Sequence, residues 1–436
     1  MNQDVVVCGA GAGGLAAACA LGNLGLRVLV VDKRRQPANV PKGEVLQPGA
    51  LALLRSWGVQ RRLDERGAVH LTDLVVRDPH GDPLLRLDYG QLPAGNQSLA
   101  THDYPVILQS LSDSLGPSVE LRRGVGVCEP LFGTSGRVEG VRVSDGDRQY
   151  DVRAAMVIAA DGLSSKLRRA VGIQPRRADY SHRLVSFEIR DPAQTPTDLS
   201  AYVTDRGLRL CYPLPGNRIR LYIQIRADEL RGFGPAELAA WLRLVLTDVP
   251  SLRPLVEPAL AGLNSRQLLA VPRFVAPHLS VPGLAVLGEA GHAVHPMAAQ
   301  GMNSSFTDAQ CLAAQLCAHI LRNGVMDADA VDAALREYGQ QRVVNLIEVD
   351  QMSHRATTMI TSTSRVGRAL GRRAVRRTTA NPRLLRTVTY NMSGLHMRPL
   401  SMLDRLCQLG LHDFRARRLP SPPARAHDES ARWCES

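Results

Sequence analysis

The hydrophobic pattern changes character along the chain. Asp4-Val5-Val6-Val7-Cys8 is a short, β-branched run bounded by glycine, which predicts a buried strand. GAGAGGLAAACALGNLG follows and predicts a helix rich in small residues, and RVLVVD at 27–32 predicts a second buried strand. Together they predict a βαβ start on a parallel sheet. A helix is expected at Leu51–Trp57, a hairpin over 70–90 turning at Pro79–Asp82, and a helix over 106–115. Residues 137–160 predict two strands turning at Asp145–Gly146, then the apolar strand AAMVIAA. From 176 to 230 the pattern is strand-like: HRLVSFEIR, LRLCYPLP and NRIRLYIQIR, with a turn at PLPGNR. This predicts an antiparallel sheet. GPAELAAWLRLVL predicts a helix whose apolar face is Leu238, Trp241, Leu242 and Val245, and GLAVLG at 283–288 predicts another buried strand. Helices are expected from about Ser304 and over 328–352. No run of 18 apolar residues occurs, so no spanning helix is expected.

Composition adds bounds. The chain has 436 residues, 44% hydrophobic and 22% charged, which predicts two or three globular domains and excludes wholesale disorder. MNQDVVVCGAGAGG has no basic leader and no small-residue cleavage site, so a cytoplasmic protein without a secretory signal is expected. The eight Cys form no C-x-x-C pair and read as reduced core thiols, so a zinc site or disulfide framework is not expected. The net charge of +12 is concentrated: residues 351–420 hold fourteen Arg and two acids, Asp404 and Asp413, leaving residues 1–350 near neutral. In 353–378, Met359, Val366, Leu370 and Ala374 fall near one helical face, with Arg365, Arg368, Arg372, Arg376 and Arg377 mostly elsewhere. A basic amphipathic helix of this kind suits either packing as a solvated helix on the body of the protein or contact with an anionic membrane surface.

Three motifs carry chemistry. Gly9-x-Gly11-x-x-Gly14 lies between a predicted strand and helix, where glycines permit a tight turn and close approach to a pyrophosphate. Asp32 ends the second strand, as a ribose-hydroxyl acceptor would. The second motif is Asp161-Gly162 after the strand MVIAA. The third is Gly288-Glu289-Ala290-Gly291-His292, with Pro296 and Gly301-Met302-Asn303 opening a helix. His292 and His295 lack a third candidate ligand in the sequence, so no metal is expected. Tyr202, Tyr212 and Tyr222 are candidates to line an aromatic pocket or simply to pack.

In order and spacing these motifs resemble the FAD-dependent aromatic hydroxylases, the group A flavoprotein monooxygenases. Lys42-Gly43-Glu44-Val45-Leu46-Gln47-Pro48-Gly49-Ala50 is similar to the same family, and Tyr390-Asn391-Met392-Ser393-Gly394 resembles its ubiquinone-biosynthesis branch. The resemblance implies an α/β fold: a Rossmann-type FAD-binding domain with a parallel sheet, interleaved with a smaller antiparallel-sheet substrate domain, plus C-terminal helices. The FAD-binding domain would comprise 1–70, 98–175 and 271–345, and the substrate domain 71–97 and 176–270. A basic helical region would follow at 346–419, then a disordered tail at 420–436. The resemblance also implies site roles. Gly9, Gly11 and Gly14 would hold the FAD pyrophosphate, Asp32 the adenosine ribose, and Lys42 would lie near the phosphates. Gln109 would take the place of an Arg common on that helix. Asp161 and Gly162 would serve both FAD and transient NAD(P)H. Glu289, where the family usually has Asp, would meet the ribityl or phosphate side. Gly301, Met302 and Asn303 would offer backbone donors to the isoalloxazine, and Pro296 would line its substrate face.

The implied activity is an FAD- and NAD(P)H-dependent monooxygenase. It would hydroxylate or epoxidise a lipophilic, electron-rich aromatic or polyene substrate through a flavin C4a-hydroperoxide formed from O2. Its partners would be that small aromatic or isoprenoid substrate and O2, with an anionic membrane surface as a further candidate, and not nucleic acid. The rivals are an FAD-dependent prenyl reductase, which usually departs from the third motif, and a flavin-dependent halogenase, whose W-x-W-x-I-P motif is missing.

Overall fold

A computed structural model describes residues 3–37, 43–257, 260, 266–323 and 325–417. Lys42 and the expected tail at 420–436 lie outside the described residues. Among the described residues two large sheets organise the molecule.

The first sheet has a parallel core. Its order is Ser280–Val281, Leu284–Val286, Arg148–Ala159, Gln3–Cys8, Val28–Asp32, Val119–Arg123, with Val125–Phe132 and Val138–Asp145 branching from it. Gln3–Cys8 runs parallel to both neighbours, pairing Val6 with Val157 and with Leu29. Its last four residues are fully buried, which is why they read as a continuous apolar run. The two segments expected at 148–160 are one strand, Arg148–Ala159. Its first half is antiparallel to Val138–Asp145, and its second half lies parallel to Gln3–Cys8. Helices Ala12–Gly22 and Gly301–Asn323 pack together on this core.

The second sheet has seven strands: Arg266–Leu269, His182–Arg190, Arg218–Arg226, Gly207–Leu214, Leu199–Thr204, Asp73–Arg77 and Pro83–Asp88. It is antiparallel except where Leu199–Thr204 runs parallel to Asp73–Arg77. That one pairing joins two distant stretches of chain. Both faces are covered. Val185, Phe187, Leu221 and Ile223 face helix Pro235–Thr247 through Leu238, Leu242 and Val245. Leu184, Leu210, Tyr212 and Tyr222 face Met297, Ala298, Val375 and Met392. Tyr202 lies on the helix-covered face, so it is separated from Tyr212 and Tyr222 by the sheet.

Helix Ala328–Thr361 is followed by Arg365–Thr379, Pro382–Ser393 and Met402–Leu409. The single amphipathic helix expected over 353–378 is broken at Ser362–Ser364. Ser362 is extended, and the Ser364 side chain caps the next helix by accepting from the Gly367 N–H. Met359 is half-buried on the earlier helix, whereas Val366 and Leu370 are exposed on the later one. The predicted stripe is therefore divided. No helix among the described residues is long and apolar enough to cross a membrane.

A buried carboxylate joins the elements around the third motif. Asp308 accepts from the Gly288 N–H (3.0 Å), His292 Nε2 (2.8 Å) and Arg342 Nε (2.8 Å). Burial alone would raise its pKa. The His292 and Arg342 charges and these hydrogen bonds outweigh burial and hold it at about 2. A carboxyl lowered from about 3.9 stabilises the fold fully above about pH 4 and loses that contribution as pH falls toward 2. Asp308→Asn should therefore cost about 3–5 kcal/mol at neutral pH, because Arg342 is left buried without its counter-charge. Urea unfolding across the acid range should find the gap from wild type narrowing as pH falls through that window; a constant gap would refute the linkage.

Candidate functional site

The first motif is shaped by close approach. Gly9 has φ +115°, and a Cβ there would lie 2.3 Å from the Ala160 carbonyl oxygen. A Cβ on Gly14 would lie 1.8 Å from the Gly9 oxygen. Only glycine lets the helix start this near the two strand ends. Gly11 differs, since its Cβ position meets only Tyr104 Oη at 3.7 Å. Gly11 is the N-cap of Ala12–Gly22, which has no side-chain cap and no acid in its first turn. The Ala12 N–H reaches Tyr104 Oη at 3.4 Å. A helix N-terminus with free amides and a positive dipole end suits an anion. Asp32 steadies the loop, accepting from the Ala10 N–H and the Arg34 N–H, each at 2.7 Å.

The second motif abuts the first through Ala160. Asp161 Oδ2 accepts from the Lys166 N–H (2.7 Å) and Leu167 N–H (3.3 Å), capping helix Lys166–Ala170. Its Oδ1 is buried without a protein partner. Gly162 has φ +83° and open space around its Cβ position. Arg168 donates to the Ala290 carbonyl and lies 5.4 Å over the Phe274 ring, fastening the second motif to the third.

Glu289 is exposed on the turn Gly288–Ala290. Burial and the Glu289 charge push the Tyr104 phenol up to about 12. A Cβ on Gly43 would touch the Tyr104 ring at 3.2 Å and Met302 Sδ at 3.6 Å, so Gly43 lies against both residues. Gln109, five residues on, is exposed and donates to Asp113 at 2.6 Å on its own helix. Gly301, Met302 and Asn303 open helix Gly301–Asn323, so their N–H groups have no intrahelical acceptor. Asn303 is buried, and its Oδ1 accepts from the Gln47 N–H at 3.1 Å. Pro296 is exposed at the start of the turn Pro296–Ala298.

Glu44, Gln47, Tyr212 and His295 were named by the sequence reasoning but not their partners, and Tyr89, Tyr180, His182, Arg220 and His354 escaped it as site groups. Glu44 and Arg220 are buried and make a bidentate pair at 2.9 and 2.7 Å, and Tyr212 Oη donates to Glu44 at 2.8 Å. Burial would lower the Arg220 pKa, but Glu44 holds it above its ordinary value. Tyr89 Oη donates to Gln47 Oε1 at 2.9 Å, and Gln47 Nε2 is a buried donor without a protein acceptor. His295 Nδ1 accepts from the Met297 N–H at 3.2 Å, so its proton sits on Nε2, which donates to His182 Nε2 at 2.9 Å. Burial, with His182 and His354 nearby, pulls His295 well below its ordinary pKa, and burial lowers His182. Tyr180 stands edge-on to His295 at 4.8 Å and bonds His354 Nδ1 at 2.8 Å. The only sequence signal for these groups was charge inside apolar or motif stretches.

The C-terminal motif reaches the same place. Gln300 Nε2 donates to the Met392 carbonyl at 2.9 Å, and a Cβ on Gly49 would lie 2.5 Å from the Gly394 oxygen. Thus Gln47-Pro48-Gly49, Gln300 and the end of helix Pro382–Ser393 meet.

The fold and site define a flavoprotein. Free amides at two helix starts, the open side of Gly11 and the orphaned Asp161 Oδ1 fit a dinucleotide carrying a pyrophosphate and hydroxyls. Residues 2–353 match the family described as "FAD binding domain", and the chain belongs to that family of FAD-dependent monooxygenases. It is similar to 6-methylpretetramide 4-monooxygenase of Streptomyces rimosus, 26% identical over 403 residues, 91% of this chain and 94% of that protein. It is also similar to the ubiquinone hydroxylase UbiL of Rhodospirillum rubrum, 30% identical over 329 residues, 72% of each. Among solved structures, p-nitrophenol 4-monooxygenase PnpA of Pseudomonas putida DLL-E4 superposes with a TM-score of 0.76 at 20% identity, covering 91% of this chain and 99% of that one. At that identity the likeness carries the fold. The enzyme uses FAD, with NAD(P)H as co-substrate.

Glu44→Ala should remove the bidentate partner of the buried Arg220 guanidinium, leaving it the longer Glu188 contact at 3.4 Å, and destabilise the protein by about 1.5–3 kcal/mol, with Glu44→Gln costing less. Thermal unfolding checks this; equal stability of wild type and Glu44→Ala would show that the pair does not anchor loop to sheet.

Proposed function

We propose that this monooxygenase transfers one oxygen atom of O2 to a lipophilic, electron-rich aromatic or polyene substrate. The observation that carries this reading is the apolar layer beside the Pro296–Ala298 turn. It is built from Leu210, Tyr212 and Tyr222 of the sheet, with Met297 and Met392 opposite. Polar contacts at its edge are few: the Glu44–Arg220 pair, Gln47 with Tyr89, and the neutral His182–His295 pair. Such a layer suits an apolar ring or chain oriented by a small number of polar groups. Residues 71–97 and 176–270 supply the sheet on the substrate side.

In this reading Gly9, Gly11 and Gly14 bring the N-terminus of Ala12–Gly22 to the pyrophosphate, and Lys42, outside the described residues, is proposed as a cation for the phosphates. Asp32 receives the adenosine ribose; its two amide contacts leave lone pairs for a hydroxyl. Gln109 belongs to the outer rim of the cofactor site. The Glu289 carboxylate would serve the ribityl side, the amides of Gly301, Met302 and Asn303 would serve the pyrimidine edge, and Pro296 would line the substrate face of the cofactor. The residues named would hold FAD, which when bound would supply the redox chemistry that links NAD(P)H oxidation to transfer of one atom of O2. The chain's own task is to orient the substrate, hold the His295 proton on Nε2 and keep water out. The basic C-terminal region would face an anionic membrane, from which a lipophilic substrate is drawn.

Purified protein should release stoichiometric FAD on denaturation. Its NAD(P)H oxidation should be stimulated by lipophilic phenols, quinolones, polyketide aromatics or prenylquinone precursors. Stimulation only by polar aromatics would reject the lipophilic reading, and protein that cannot be loaded with FAD would reject the whole assignment. For Asp161, the orphaned Oδ1 predicts a role beyond capping. Asp161→Ala should retain FAD yet slow flavin reduction at least about tenfold in stopped-flow measurements, the worth of one charge-assisted contact. Unchanged reduction in FAD-replete protein would remove Asp161 from the NAD(P)H path.

A further inference from the structure

Helix Met402–Leu409 is inside out. Its buried side is polar, with Asp404, Cys407 and Gln408. Its exposed side is apolar: Met402 (72% exposed), Leu403, Leu406 and Leu409, spaced along one helical face. The chain beyond continues the surface with Leu411 and Phe414, the latter 89% exposed. A soluble helix normally turns these sides the other way.

The orientation is fixed by the polar side. Asp404 closes a capping box with Ser401 and pairs with Arg383 and Arg415. Asp413 pairs with the same two arginines and accepts from Asn381 at 2.9 Å. Gln408 donates to Thr378 at 2.9 Å. Rolling the helix to hide its leucines would break the Asp404 and Gln408 contacts.

Cations border the apolar face. Helix Arg365–Thr379 packs on Met402–Leu409 and buries Gly371, Ala374, Val375 and Thr378. Arg365, Val366, Leu370, Arg373, Arg376 and Arg377 are exposed on its other side. The Arg373 guanidinium lies against Gly410, where a Cβ would meet it at 2.3 Å. Arg368 and Arg372 instead pair with Asp205 on the body, and Arg383 and Arg415 are held by Asp404 and Asp413. The basic stretch thus divides into arginines that fasten it and arginines that face out.

We propose that this face, the exposed side of Met402–Leu409 with Leu411 and Phe414, docks on an anionic lipid bilayer. Its apolar side chains enter the headgroup boundary, and Arg373, Arg376 and Arg377 meet lipid phosphates. Charge complementarity selects this occupant. A second copy packed face to face would bring these arginines close to their own equivalents. Residues 418–436 offer little beyond Leu419 and Trp433 to cover so broad an apolar face. The inference rests on the reading that the substrate is lipophilic, since the surface places the enzyme where such a molecule dissolves.

Co-sedimentation of the full chain, loaded with FAD, tests it. The protein should partition into phosphatidylcholine vesicles that contain phosphatidylglycerol, not into phosphatidylcholine alone, and salt should weaken the partition. Arg373→Gln/Arg376→Gln/Arg377→Gln should lower the partition coefficient about a hundredfold. Leu403→Asp/Leu406→Asp should abolish partition while FAD content and uncoupled NAD(P)H oxidation stay unchanged. Failure of the wild type to bind at low salt, or binding indifferent to Leu403→Asp/Leu406→Asp, would overturn the proposal. So would a wild-type dimer that the same substitutions dissociate without vesicles present. Loss of NAD(P)H oxidation in wild type would instead strike at the proposed function, whatever the vesicles do.

Discussion

The Asp308 carboxylate is the contact on which the cofactor side of this molecule depends. It sits wholly buried on helix Gly301–Asn323 and grips three things at once: the Gly288 amide, His292 and Arg342 of helix Ala328–Thr361. An isolated charge there would cost several kcal/mol in desolvation, so each partner is obligatory. The consequence is geometric. The turn carrying Glu289, the segment leading to Pro296 and the start of helix Gly301–Asn323 are held to one rigid post. The amides of Gly301 to Asn303 can then point at a ligand without a cap of their own.

Around that post the molecule leaves selected polar groups unsatisfied. The helix behind Gly11 lacks a side-chain cap, Asp161 keeps one oxygen without a partner, and Gln47 keeps a buried amide donor. Buried polar groups are ordinarily paired, so the Asp161 oxygen and the Gln47 amide are positions where a ligand would complete the network. By contrast, Glu44, Arg220 and Tyr212 satisfy one another fully enough to join the motif loop to the sheet. The sheet separates duties by alternation. Odd and even positions of Arg218–Arg226 face different layers, so Tyr222 borders the proposed substrate layer while Leu221 and Ile223 only pack against Pro235–Thr247.

Much of this was legible in the sequence because it is local. Val5 to Cys8, the glycine spacing and Asp32 announce a strand, a turn and a second strand, and hairpin Asp73–Arg77 with Pro83–Asp88 follows its turn residues. What stayed hidden is non-local. Strand Leu199–Thr204 carries only a short apolar run; it pairs locally with Gly207–Leu214, but its parallel pairing with Asp73–Arg77, more than a hundred residues away, leaves no local signal. The break at Ser362–Ser364 is set by a cap, which helical periodicity across 353–378 does not register. Tyr104 reaches Gly11 only because Tyr104–Ser112 packs beside Ala12–Gly22, and no spacing rule connects residues so far apart. Pairs such as half-buried His182 with buried His295 need the fold before either partner means anything.

Two inversions of the usual order then stand out together. Inside, beside the Pro296 turn, the chain buries charge and imidazole where packing alone would favour hydrocarbon. Outside, on Met402–Leu409, it exposes leucines where solubility would favour charge. Both run against the local consistency that folding rewards, and such departures are expected where function imposes its own demand. They are also physically connected. Val375 of helix Arg365–Thr379 and Met392 of Pro382–Ser393 lie in the apolar layer with Tyr212 and Tyr222, while the outer side of Arg365–Thr379 carries the cations beside the exposed leucines. The same small helical layer therefore closes the proposed substrate side with one face and meets the surroundings with the other. A lipophilic molecule would gain from that arrangement, because its path from a bilayer to the Pro296 turn need cross only the thickness of these helices.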